Sequence, residues 1–201
     1  NPVLESDAPD FRDPKVLRWD GPTGSWWVMA LAVGQRIDLY RSPDLRTWRH
    51  TGSFAEPVAG SGVWECPDLV ALEGGQWLLV FGISEGGPGN HSATLGVRGR
   101  FDGRTFDPES APVLLDAGPD FYALQTFHGT AGPPVGMAWM SSWRYASAWP
   151  VGSWAGRMTL PRRLDDDGDG GVLSRPAPDL SHNGNILAGT RFAGRTGRAF
   201  V

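Results

Sequence analysis

The sequence predicts an all-β chain whose strands are grouped as the blades of a propeller. Three observations carry that expectation. Glycine (28 residues) and proline (17) interrupt the chain often, and the intervals between them hold short β-branched and aromatic runs. No apolar pattern keeps the helical period over a long window. A unit of pattern also restarts about every 53 residues, a spacing suited to four-stranded blades. A sandwich would supply as many strands but would not restart at a fixed interval.

The first unit opens at Asp13-Pro14, continues through Gly24-Ser25-Trp26-Trp27-Val28-Met29 and closes near Asp44-Leu45-Arg46-Thr47-Trp48. The second opens at Cys66-Pro67-Asp68-Leu69, passes Gly75-Gln76-Trp77-Leu78-Leu79-Val80 and closes near Asp102-Gly103-Arg104-Thr105-Phe106. The third opens at Asp120-Phe121-Tyr122-Ala123 and passes Gly136-Met137-Ala138-Trp139-Met140. Within these units residues 26–33, 37–40, 69–72, 77–82, 94–97, 122–127 and 135–139 read as strands. Gly74-Gly75 and Ser42-Pro43-Asp44 read as turns. After Leu164 the pattern changes. Residues 165–171 form an acidic, glycine-rich stretch that starts like an EF-hand loop, with Asp165, Asp167, Asp169 and Gly170. Its twelfth position is Pro176, where such a loop needs a bidentate glutamate, so a solvated hairpin turn is expected instead. Residues 1–164 are therefore expected to form a partial propeller, and residues 165–201 a final hairpin and exit segment.

Composition narrows the function. The net charge of −4 gives no reason to expect nucleic acid or an anionic membrane as partner, since both favour basic patches. The apolar runs are too short to span a bilayer, and no basic-then-apolar leader opens the sequence, so localisation is left undetermined. Cys66 is the single cysteine, which excludes an intrachain disulfide and a cysteine-based metal site. No metal and no cofactor are expected. The ten tryptophans have two readings, blade packing and the stacking of sugar faces.

Asp13 and Glu65 stand out as chemistry. Each opens a repeat beside a proline, and the innermost strands of a propeller converge at one mouth of its channel. Two acids at nearly equivalent positions would face each other there, as glycosidic bond cleavage requires. The plainer reading is that acids before proline cap turns.

The neighbouring residues extend this. Phe11-Arg12-Asp13-Pro14 and Trp64-Glu65-Cys66-Pro67-Asp68-Leu69 resemble the Arg-Asp-Pro and Glu-Cys motifs of glycoside hydrolase family 32. The resemblance continues in order through Leu115-Asp116, Asp120-Phe121-Tyr122-Ala123, Trp143-Arg144-Tyr145-Ala146 and Gly156-Arg157-Met158-Thr159-Leu160-Pro161-Arg162. It implies a five-bladed β-propeller, usually followed by a β-sandwich, that hydrolyses β-fructosidic bonds of sucrose or fructans with retention. It also implies roles: Glu65 as acid/base, Asp13 as transition-state stabiliser, and Arg12 as a group that holds hydroxyls or orients the carboxylates. Asp116, Asp120 and Tyr122 would line the substrate pocket, while Trp143 either shapes an outer subsite or packs a blade. Cys66 would be a packing residue and not a nucleophile. The family's nucleophile is an aspartate in an Asn-Asp-Pro-Asn-Gly segment well upstream of Arg-Asp-Pro. Asn1-Pro2-Val3-Leu4 is not that segment, and Asp7 and Asp10 lack its context. The resemblance thus predicts an incomplete propeller of about three blades, inactive by itself. Three alternatives stand beside it: a five-bladed glycosidase of arabinosides or xylosides, a non-catalytic fructan-binding propeller, and a structural propeller for protein contacts.

Overall fold

The computed structural model describes residues 2–58, 62–129, 132–150, 152, 154, 156–167 and 171–177, and the expected exit segment lies almost wholly outside them. Among the described residues the chain is all-β, apart from two single-turn 3₁₀ segments, Glu73–Gly75 and Pro88–Asn90. Its strands form three antiparallel sheets, each a meander in chain order. The first holds β1 (Phe11–Gly21), β2 (Gly24–Val33), β3 (Arg36–Ser42) and β4 (Arg49–Phe54). The second holds β5 (Trp64–Ala71), β6 (Trp77–Ile83), β7 (Ala93–Phe101) and β8 (Phe106–Pro108), with β9 (Val113–Leu114) also paired to β7. The third holds β10 (Tyr122–Thr126), β11 (Val135–Trp139), β12 (Arg162–Asp166) and β13 (Val172–Pro176). These are three propeller blades. β5 touches both β1 and β10, so the first strand of each blade lies innermost.

The hairpin expected beyond Leu164 joins β12 to β13 and completes the third blade. A boundary after Leu164 falls inside β12. Gly74 and Gly75 turn the chain from β5 into β6 with φ of 71° and 78°, a region closed to most side chains.

Blade 2 is apolar on both faces because it is packed on both. Along β6, Leu79, Phe81 and Ile83 join a core shared with Val28, Ala30, Ala32 and Phe54 of blade 1. The alternate residues Leu78 and Val80 join a second core with Leu124, Ala138 and Leu164 of blade 3. The unbroken apolar run at 77–83 is therefore a strand buried on both sides. Phe81 stacks on Trp64 with ring centroids 4.2 Å apart, and Phe54 packs against both rings. On the far face of blade 1, Met29, Leu31 and Val33 are covered by Leu4, Ala8 and Phe11.

Six strands, β1, β4, β8, β9, β12 and β13, fall outside the ranges read from the sequence, and two of them show why. In β1 the charges Arg12, Asp13, Lys15, Arg18 and Asp20 mask the alternation. β4 ends the sheet order and reads Arg49-His50-Thr51-Gly52-Ser53 before its first buried residue, Phe54.

Truncating Phe81 removes a fully buried ring at the junction of two blades. Phe81→Ala is expected to lower stability by about 3–5 kcal/mol, whereas the half-exposed Leu173→Ala should change it by less than about 1 kcal/mol, as read by urea unfolding.

Candidate active site

The innermost strands share one irregularity. In β1 the register to β2 slips between Arg12 and Lys15, in β5 between Glu65 and Asp68, and in β10 between Tyr122 and Gln125. Each slip sets three steps against two on the partner strand, which is a β-bulge with one extra residue. The extra residues carry positive φ: 57° at Asp13, 50° at Cys66 and 55° at Ala123. Pro14 and Pro67 sit inside the slips, where a missing N–H costs no ladder hydrogen bond. The bulges fix which residues of the three repeats are equivalent. Glu65 is equivalent to Arg12 and Tyr122, while Asp13 is equivalent to Cys66 and Ala123.

The equivalent residues Arg12, Glu65 and Tyr122 meet. Arg12 Nη1 donates to Glu65 Oε1 at 2.9 Å, and the Tyr122 hydroxyl donates to Glu65 Oε2 in a short hydrogen bond. Both oxygens of the carboxylate are thus held, one from each neighbouring blade. The other end of the Arg12 guanidinium pairs with Asp10. Asp13 turns to the next bulge, where its Oδ2 accepts from the Cys66 N–H at 3.0 Å and from Cys66 Sγ at 3.7 Å. Gly82 faces Glu65 across the β5–β6 ladder, and a Cβ on it would lie 2.8 Å from the Tyr122 ring. A side chain at position 82 would force that ring to shift.

Electrostatics follow from this crowding. Burial pushes the Tyr122 phenol well above its ordinary range, and the hydrogen bond to Glu65 adds to that, so the group remains a donor at neutral pH. Burial, then the charges of Asp13 and Glu65, push the Cys66 thiol up to about 12. It stays protonated and is no nucleophile.

The remaining expected residues lie apart from this cluster. Asp116 closes a turn on the Gly118 N–H at 2.8 Å and pairs with Arg162 at 3.6 Å. Asp120 accepts a hydrogen bond from Tyr145 and lines an open cavity of about 250 Å³ with Met140, Trp149, Trp154 and Arg157. Trp143 is 59% exposed and rests 5.1 Å from the Trp139 ring. Sequence reasoning passed over Asp10, seen there only as a poor nucleophile, and Tyr145, whose role depends on a fold that brings it to Asp120. Among the described residues no group of three or more histidine, cysteine or carboxylate side chains is placed to hold a metal ion.

Three blades that bring an arginine, a carboxylate and a tyrosine together make a candidate site, and the comparisons specify the family. Residues 1–176 match the model of the glycosyl hydrolases family 32 N-terminal domain, and the chain belongs to that family. An extracellular exo-inulinase of Meyerozyma guilliermondii is 39% identical over 174 residues, covering 82% of this chain and 33% of that protein. Invertase 2 of Saccharomyces cerevisiae is 34% identical over 176 residues, covering 82% and 33%. The fructofuranosidase of Schwanniomyces occidentalis, solved with fructose, superposes with a TM-score of 0.79 at 29% identity, covering 90% of this chain and 38% of that one. The chain spans about a third of the length of the curated relatives it matches.

The thiol supplies a test of the site's packing. The unfolded thiol ionises near pH 8.5 and the folded one near 12, so above about pH 8.5 only the unfolded chain gains the charge. Stability should therefore fall as pH rises through this window. Iodoacetamide at pH 8.5 should label Cys66 far more slowly in the native chain than in urea; equal rates would contradict the buried geometry.

Proposed function

We propose that this chain supplies the acid/base part of a retaining β-fructosidase site, acting on sucrose or fructans. The observation that carries the reading is the convergence of Arg12, Glu65 and Tyr122 from three blades, with Asp13 at the adjacent bulge. Glu65 is the acid/base: it protonates the glycosidic oxygen as the bond breaks, then accepts a proton from the attacking water. Arg12 and Tyr122 fix the direction of that carboxyl group. Asp13 has Oδ2 committed to the Cys66 N–H, which leaves Oδ1 to grip fructose hydroxyls and to steady the positive charge on the oxocarbenium ion. Asp120 and Trp143 would contact the sugar further out, and Asp116 would shape the loop beneath. The relatives named as inulinase, invertase and fructofuranosidase support fructosides over arabinosides or xylosides.

A retaining path needs a carboxylate nucleophile as well. Asp13 is taken here as the stabiliser and Asp10 pairs with Arg12, so neither is assigned that role. The 201 residues by themselves are accordingly read as inactive or nearly so.

Two measurements test the reading. Calorimetry with fructose should give binding to this chain that Asp13→Asn weakens. In a form that hydrolyses sucrose, inulin or levan, Glu65→Gln should lower fructose release by about 10²–10⁴-fold. Release of arabinose or xylose instead, or undiminished turnover by Glu65→Gln, would defeat the assignment. Fructan binding without turnover in every form would point to a binding propeller.

A further inference from the structure

Beneath the acid cluster lies a second set of equivalent residues that no acid motif singles out. Lys15, Asp68 and Gln125 each follow their strand's bulge, at the position where regular pairing resumes. They are three unlike side chains from three blades, and they meet. Lys15 Nζ lies 3.0 Å from Asp68 Oδ2, and donates to Gln125 Oε1 at 3.2 Å and to the Thr126 carbonyl at 2.9 Å. An ammonium has three protons, and each of these has a partner. Asp68 is fully buried. Its Oδ2 also accepts from Thr126 N at 2.8 Å and Thr126 Oγ1 at 2.7 Å, and its Oδ1 accepts from Leu69 N at 2.9 Å. Gln125 Nε2 then donates to the Cys66 carbonyl at 3.0 Å and the Pro67 carbonyl at 3.3 Å. The network therefore reaches the backbone of the bulge that carries Glu65.

Burying an ion pair is a poor way to gain stability, since apolar residues of equal volume often do as well. Its geometry suggests another use. Van der Waals packing between blades tolerates small slides along the strands. A lysine bound to three acceptors on two other strands does not. A slide of β5 against β1 or β10 would break bonds to the fully buried carboxylate of Asp68.

We propose that Lys15, Asp68 and Gln125 are positioning residues that lock the three bulges together and so set the Glu65 carboxylate between Arg12 and Tyr122. The proposal rests on the fructosidase reading only in taking Glu65 as the acid. Cys66, next to Glu65 in the same bulge, reports on it without any need for turnover. The thiol is shielded by burial and by contact with Asp13. Gln125 carries no charge, so a change there reaches the thiol through the bulge whose carbonyls it holds.

The experiment is the rate of iodoacetamide labelling of Cys66 at pH 9 in this chain, under native conditions. Asp68→Asn and Gln125→Ala should each raise it roughly tenfold or more, the effect of lowering the thiol's ionisation by one pH unit. Leu39→Ala, which opens a cavity in blade 1 away from the bulges, serves as the control for lost stability and should raise it less than about threefold. Unchanged labelling in a folded Gln125→Ala or Asp68→Asn chain overturns the proposal. So does an equal rise in all three variants, which would make the network ordinary packing. If Asp68→Asn does not fold, Gln125→Ala decides the matter, because it keeps the Lys15–Asp68 pair. Failure to hydrolyse fructosides would count against the fructosidase reading and leave this outcome untouched.

Discussion

The three innermost strands must each hold a ladder to the next strand while bringing side chains together between blades. Each innermost strand meets this constraint with one extra residue in a left-handed conformation, at Asp13, Cys66 and Ala123. The bulge breaks the alternation of faces locally, so that the residue before it points to the mouth and the residue after it points below. Two layers result. The upper one, Arg12, Glu65 and Tyr122, is partly open and carries the candidate chemistry. The lower one, Lys15, Asp68 and Gln125, is polar and built around the fully buried Asp68, and its bonds run almost wholly between blades. The rest of the structure can be understood as what keeps these strands near one another.

That support comes from ordinary hydrophobic burial distributed without a single centre. Blade 2 gives one face to each of two cores, and neither core is complete without a neighbour. The arrangement is close to that of a repeat protein, where stability is largely a sum over adjacent units. Aromatic residues dominate the junction of blades 1 and 2, where Phe54, Trp64 and Phe81 fill a gap too wide for aliphatic side chains.

Much of this was legible in the chain. The blade repeat could be read because glycine and proline mark turns, and because a strand packed on both faces is apolar throughout, as in residues 77–83. Pro14 and Pro67 marked two of the three blade openings. The third bulge, at Ala123-Leu124, has no proline and no acid, so nothing announced it. Setting Pro14 against Pro67 already makes Glu65 the counterpart of Arg12, not of Asp13, and the register slips agree. Lys15, Asp68 and Gln125 could not be grouped from sequence because a basic, an acidic and an amide side chain share no pattern. They become a set only when three strands are laid side by side. Asp116 and Trp143 were reachable by resemblance alone, since their surroundings depend on loops distant in sequence.

Gly82 carries no functional group and belongs to no acid motif, yet the Tyr122 ring lies where its side chain would be. The aim of the candidate acid thus depends in part on an empty volume. A methyl group there would leave every charged residue of the site in place and still turn the tyrosine away from its carboxylate. For anyone tracing how such a propeller changes its chemistry over generations, the informative substitutions need not fall among the acids. They can fall on the unremarked residue that gives an aromatic ring its room.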